Sequence, residues 1–295
     1  MFGSIRALAR LGLVTAALCP VTLAAVTIKQ SNSKLTLKGD DAVDVIVLSG
    51  ADAVGEIHVQ LGSELVGKFK GIRDIDVRTA GGDDVVDIRG VKIGGSLRVR
   101  TEGGNDDVEL HNTDRLLVDA CVFIGRNFEL NLGGQEGDDF EIEPSSNEFP
   151  ITIGRTLSVR GAAHVDLDGL GVEFASEPGD VLIGGNLEIR TTSTSASTLS
   201  IRILRIDDVA VGGNSKWTFG STVDEVRVQE SAFVGKVKVS LGAGDDVFTI
   251  GGTTHGSAFA SAVELAGGSG TADALDLGTA VFATPPKVKQ FELVD

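Results

Sequence analysis

Ten times between residues 34 and 268 the chain spells a short run in which apolar and polar residues alternate, and most of these runs end in glycine. The segments "SLRVRTEGG" (96–104), "NFELNLGG" (127–134) and "KVKVSLG" (236–242) are examples. Alternation with a period of two puts one set of side chains on one face of a strand and the other set on the opposite face. Taking the first inward apolar residue of each run gives Leu35, Ile57, Ile75, Leu97, Phe128, Leu157, Leu187, Trp217, Val237 and Val263. Their spacings are 22, 18, 22, 31, 29, 30, 30, 20 and 26 residues, irregular in length but constant in phase. A unit of this size cannot bury its apolar side alone, so neighbours must stack. A propeller blade needs four strands and about 40 residues, and a sandwich has no need of phase-locked repetition. The expected fold is therefore all-β, a parallel right-handed β-helix (β-solenoid) of about ten irregular coils.

After each glycine corner comes a second alternating strand, and it carries a column of aspartates. Asp41, Asp84, Asp106, Asp138, Asp224, Asp246 and Asp273 each stand two residues before an apolar residue, Val43, Val86, Val108, Phe140, Val226, Phe248 and Leu275 respectively. Ser197 takes the same place before Leu199, and "HVDLDG" (164–169) breaks the pattern. Strand parity points these carboxylates inward, and an unpaired buried carboxylate costs several kcal/mol. Two partners fit. One is the backbone of the corner itself, where aspartate accepts from N–H groups two residues on and glycine permits positive φ. The other is calcium, which takes carboxylate and carbonyl oxygens and would relieve the repulsion between acids stacked about 5 Å apart.

On these residues the chain resembles two things. "LGAGDDVFT" (241–249) is similar to the hemolysin-type (RTX) calcium nonapeptide, differing at Leu241. The stretches Gly82 to Val86 and Gly104 to Val108 keep its G-x-D-x-U core, and "GGQEGDDFEI" (133–142) is displaced by one residue. The unit "IGGSLRVRTEGGNDDVEL" (93–110) resembles exported bacterial β-solenoid repeat proteins with degenerate turns of this type. That likeness implies a solenoid used for calcium binding or surface attachment. By the nonapeptide likeness the calcium ligands would come from Asp84, Asp106, Asp138 and Asp246 and the carbonyls of Gly82, Gly104 and Gly244. Those motifs stand singly here, one per coil, whereas the nonapeptide family repeats them in tandem.

The first 24 residues have the plan of a secretory signal: Arg6 and Arg10, the apolar run "LGLVTAAL" (11–18), and a small-residue site at "TLA" (22–24). Cleavage there makes an already acidic chain, of formal charge −16, more so, and leaves Cys121 without a partner for an internal disulfide. "LLVDACVFI" (116–124) reads as a buried place for that thiol. The divisions expected are a signal at 1–24, an N-terminal cap at 25–33, the solenoid at 34–283, and a C-terminal cap or tail at 284–295, where Pro285 and Pro286 interrupt strand pairing. Net negative charge disfavours nucleic acid. It admits calcium and a cell-surface or extracellular polysaccharide or protein as partners. No segment of the mature chain is long and apolar enough to be a transmembrane helix.

Catalysis has weaker support. "HNTD" (111–114) resembles one motif of the polygalacturonases, but that family's G-H-G and R-I-K elements are missing, and no G-x-S-x-G is present. His58, His111, His164 and His255 share no metal-ligand spacing. Trp217 reads as core, and Arg98, Arg100, Arg160 and Arg190 as an outward ladder facing acids of adjacent coils. The reading is an exported, acidic, non-enzymatic module with a structural, adhesive or ligand-presenting role. The alternatives are calcium-dependent folding and a polysaccharide-active enzyme.

Overall fold

The computed structural model describes residues 26–51, 53–112, 121–135, 137–144, 150–168, 180–191, 202–251 and 256–294; the expected signal at 1–24 lies outside them. The described residues are all-β and contain no helix, hence none long and apolar enough to cross a membrane. Their strands form three sheets of eleven, twelve and eight strands, called here S1, S2 and S3. The chain visits them in rotation. Leu97–Arg100 lies in S1, Asp107–His111 in S2 and Phe123–Ile124 in S3, and Phe128–Asn131 then returns to S1 beside Leu97–Arg100. One such circuit is called a tier.

Neighbouring tiers pair in parallel and in register. The inward row of S1 runs Leu35, Ile75, Leu97, Phe128, Leu157 and Leu187. Each is at most 2% exposed. Burying an aliphatic side chain so fully contributes roughly 1.5–3 kcal/mol, and repeating it at every tier fixes the register, because a one-residue slip would turn the whole row to solvent. The matching row of S2 is Ile46, Val86, Val108, Phe140, Val165, Leu204, Val226, Phe248 and Leu275. In S3 four isoleucines that each precede a glycine, Ile93, Ile124, Ile153 and Ile183, form the third row. Phe233, Phe259 and Phe282 continue it as a stack with centroids 5.1 and 5.0 Å apart. That is about the strand spacing itself.

Four expectations shift. Ile57 is not in the S1 row: Ile57–Leu61 and Glu64–Phe69 form an antiparallel hairpin on the outer edge of S2, so the step from Leu35 goes to Ile75. Alternation alone cannot tell an added hairpin from a tier. In the strand Ser215–Thr218, Ser215 rather than Trp217 faces Leu187 and Val237, and Trp217 faces Ile189 and Val239. The two-residue slip preserves parity, so Trp217 is still core, 1% exposed and stacked on Phe248 at 6.3 Å. Cys121 is only half-buried, because Val122 and Ile124 take the inward places. Pro285 and Pro286 precede rather than interrupt pairing, since Lys287–Lys289 pairs in parallel with the previous S1 strand.

The two ends differ. At the first tier Thr27–Ser31 lies antiparallel along Lys34–Lys38, as the hairpin does on S2. At the last tier Lys287–Lys289 and Leu293–Val294 simply extend S1 and S2.

Candidate functional site: stacked carboxylates inside and outside S2

The corner between S1 and S2 places an aspartate inward in most tiers. Asp44, Asp84, Asp106, Asp138, Asp224, Asp246 and Asp273 are all fully buried. Asp44 replaces Asp41 of the sequence reading. "DDAVDVIV" offers two frames, and the pairing of Ile46 with Val86 selects the second, leaving Asp41 and Val43 exposed. Ser197 and Leu199 lie outside the described residues; Leu204 fills the row, and Arg202 pairs with Asp224. In the tier of "HVDLDG", Ala163 stands where the others have aspartate, two residues before Val165.

Five of these carboxylates are held by a backbone amide of the neighbouring tier rather than one two residues on, and Asp138 also accepts the amides of Gly134 and Gln135 of its own corner, at 2.9 and 2.6 Å. Oδ1 of Asp84 accepts the amide of Asp44 at 2.8 Å, Asp106 that of Asp84 at 3.0 Å, and Asp138 that of Asp106 at 3.2 Å. Farther along, Asp246 accepts from Asp224 at 2.8 Å and Asp273 from Asp246 at 2.9 Å. The file ends on Glu292, whose side chain accepts the Asp273 amide at 2.9 Å. Each of these five acids thus staples two tiers at a corner where the strand ladder leaves an N–H to be satisfied.

Stacking also explains the glycines. Gly82, Gly104 and Gly244 have φ of +108°, +132° and +138°. A Cβ on Gly104 would sit 1.9 Å from the Gly82 carbonyl oxygen.

Burial raises the pKa of Asp44, Asp84 and Asp138 to about 6 and that of Asp246 to about 7. It raises Asp106 as well, with Thr101 and the Asp84 amide opposing it. Oδ2 of Asp84, Asp106 and Asp246 has no hydrogen bond of normal geometry. The seven residues expected to bind calcium therefore lie at one corner of the tiers, in two runs separated by the tiers of Ala163 and Arg202. Oδ2 is uncommitted at Asp84, Asp106 and Asp246 but not at Asp138, where it accepts the amides of Gly134 and Gln135. Calcium takes six to eight oxygens. Among the described residues, the sets in which three acidic or imidazole ligand atoms converge within 4.8 Å lie elsewhere, on the outer face of S2.

That face follows from the same register. Asp107 pairs with Asp139, and Asp139 with His164. In the next outward row Asp87, Glu109, Glu141 and Asp166 succeed one another. Two sets converge, Asp87 with Glu109 and His111, and Asp139 with Glu141 and His164. In the first, Arg89 Nε donates to both oxygens of Asp87 at 2.9 and 2.8 Å, and His111 Nε2 lies 2.8 Å from Oδ1. Burial pushes the Asp87 carboxyl up, but the bonds from His111 and Arg89 more than reverse this and bring it to about 2.

Among the described residues the second set has no arginine of that kind. His164 Nδ1 lies 3.1 Å from Asp139 Oδ1, and this contact raises the imidazole pKa against burial. Burial and then Asp139, Glu143 and Asp166 raise Glu141; burial and then Glu109, Asp139 and Asp87 raise Asp107 to about 6. Arg205 reaches Asp166 only at 3.5 Å, and burial still leaves that carboxyl raised. His164 Nε2 and Asp166 Oδ1 are shielded from solvent without a hydrogen-bond partner.

The histidines escaped the sequence reading because its spacing test works along the chain. His111 and His164 find their carboxylates across tiers, a relation visible only once the strands are aligned. His58 instead faces Glu56 at 3.8 Å, and His255 and Asp114 of "HNTD" lie outside the described residues. On S1, Arg98 donates to Glu129 of the next tier at 2.7 Å, and Arg100 lies 3.9 Å from Asp76 of the previous one. Arg160 and Arg190 are adjacent in one row. Comparison with protein-family models, curated proteins and solved structures finds no match to this chain.

Proposed function

We propose that the three sheets wind as a right-handed β-solenoid of about ten coils, exported and acting as a structural, adhesive or ligand-presenting rod rather than as an enzyme. The right-handed sense is the one that crossovers between parallel strands adopt. Ten tiers at about 4.8 Å each give a rod of roughly 45 Å. The observation that carries the reading is the parallel, in-register stacking of ten strands in S1 and ten in S2, which fills the interior with aliphatic rows and leaves chemistry to the outer faces. The strands of the two sheets differ in charge. The ten parallel strands of S1 contain eleven Lys or Arg and five Asp or Glu. The ten parallel strands of S2 contain twelve Asp or Glu and four Arg.

A basic strip on an acidic rod suits an anionic extracellular polysaccharide. On S1 a shallow recess lined by Arg98, Arg100, Asn131, Ser158, Arg160 and Glu188 crosses several tiers. The test is incubation of the mature chain with immobilised acidic polysaccharides. Salt-sensitive retention with no new reducing ends is expected, and release of reducing ends overturns the non-enzymatic reading. Export is checked by the amino terminus of protein recovered outside the cytoplasm, expected near Ala25.

A second reading, calcium-dependent folding, is favoured by the uncommitted Oδ2 atoms of Asp84, Asp106 and Asp246. Such a protein gains about 2.7 kcal/mol at 100-fold excess over Kd. Equal melting midpoints in EDTA and in millimolar calcium reject it.

A further inference from the structure

We propose that Asp139, Glu141 and His164, on the outer face of S2, form a binding site for a first-row divalent metal ion of the zinc class. The inference does not depend on the rod's partner or on calcium at the inner file. Three ligand atoms, one from each side chain, lie within 4.8 Å of one another, close enough to share one ion. Asp139–Glu143 and His164–Asp168 are adjacent parallel strands, so the set rests on paired backbone rather than on a loop. A mixed imidazole and carboxylate set suits zinc, manganese, cobalt or nickel better than calcium or magnesium, which prefer oxygen alone. Three protein ligands leave a position for water.

The neighbouring set makes the argument comparative. Asp87, Glu109 and His111 have the same composition on the same face, and there Arg89 lies against Asp87 and balances the charge from within the chain. Around Asp139 no arginine among the described residues stands in that place. The cation nearest in the row is Arg205, on the far side of Asp166 at 3.5 Å. His164 Nε2 and Asp166 Oδ1 are withdrawn from solvent with no hydrogen-bond partner. Parallel stacking places Asp107 beside Asp139 and Glu109 beside Glu141, so the surplus of negative charge is built into the register. A divalent ion would neutralise it, with Asp166 available as an outer partner to a ligand or bound water.

The experiment is metal titration of the full mature chain followed by exhaustive dialysis and elemental analysis, using Zn2+, with Co2+ as the spectroscopic probe and Ca2+ as the oxygen-preferring comparison. One equivalent of zinc should be retained, and cobalt should give visible bands of a nitrogen- and oxygen-ligated site. His164→Gln should lower the affinity at least tenfold, while His111→Gln should leave it within about twofold. Far-ultraviolet circular dichroism of both variants shows that the sheets are kept. His58, His255 and Cys121 remain in both variants, so adventitious binding there would not distinguish them. No retained zinc in the parent chain, retention undiminished in His164→Gln, loss in His111→Gln instead, or calcium displacing zinc at equal concentration would each overturn the site.

Discussion

The inner file of aspartates and the outer rows of S2 are products of one operation, the stacking of a repeated unit in register, and they meet opposite fates. Inside, each carboxylate lands against the amide of the preceding tier, so repulsion between neighbours is offset by a hydrogen bond at every step from Asp44 to Asp138 and again from Asp224 to Glu292. Outside, the side chains face solvent or each other. There the charge must be met by another side chain, as Arg89 does for Asp87, or it stays unbalanced, as around Asp139 and Glu141. A repeat therefore makes columns of like charge wherever it carries an acid. What separates a staple from a binding site is whether a donor of the chain's own reaches the column.

The most damaging way to break the inner file is to spoil the contact between tiers. Gly104→Ala puts a methyl 1.9 Å from the Gly82 carbonyl oxygen at a φ of +132°. Loss of at least about 3 kcal/mol is expected from strain and overpacking together. Urea unfolding measures it, and a change under 1 kcal/mol would mean that the tiers are farther apart there.

Next comes the staple itself. Asp106→Ala removes the acceptor of the buried Asp84 amide, a loss of about 1–3 kcal/mol. Asp106→Asn keeps an oxygen in that place and discards the buried charge, so stability at pH 7 should stay within about 1 kcal/mol of the parent. If asparagine proves as damaging as alanine, the carboxylate has a role that an amide oxygen cannot fill, and the calcium reading gains.

The acid–base consequence distinguishes the two locations by sign. The inner aspartates have folded pKa values of about 6 to 7 against about 3.9 unfolded. The folded state holds more protons in that interval, so their contribution is complete below pH 4 and is lost as pH rises through 6 to 7. Asp87, at about 2, behaves in the opposite way: its contribution is present above pH 4 and is lost towards pH 2. The melting temperature should therefore be highest near pH 4 to 5 and fall by several degrees by pH 8. A midpoint that climbs between pH 5 and 7 would contradict the inner assignment, and Asp246→Asn should flatten the slope.

Much of this architecture was legible because alternation and glycine corners are local. Leu97, Phe128, Leu157 and Leu187 can be aligned by phase alone, and the structure sets them side by side. The same alignment failed where two frames share a parity or where an insertion imitates a tier: Asp41 against Asp44, Trp217 against Ser215, and the hairpin begun by Ile57. It also named most of the inner carboxylates but found their partner only at Asp138, which its own corner holds as well, since an amide one tier away is as distant in sequence as Asp84 is from Asp106. The outer sets were illegible for the same reason. His164 meets Asp139 only because a variable connection ends where it does, and nothing in "HVDLD" by itself points to a strand 25 residues earlier.

The smallest effect tests the comparison most directly. If the two outer sets differ by the presence of Arg89, then removing it should make the first resemble the second. Arg89→Ala costs little stability, less than about 1 kcal/mol, because the guanidinium is half in water and His111 remains beside Asp87. Yet Asp87, only 5% exposed, loses one of its two cationic partners and keeps Glu109 in the adjacent tier. Its carboxyl should rise from about 2, and Asp87, Glu109 and His111 should become competent to take a divalent ion. The expected result is a second equivalent of zinc in Arg89→Ala, abolished by adding His111→Gln and untouched by His164→Gln. An unchanged stoichiometry would mean that the arginine is not what separates the two sets, and that strand geometry rather than charge balance decides which of them can hold a metal.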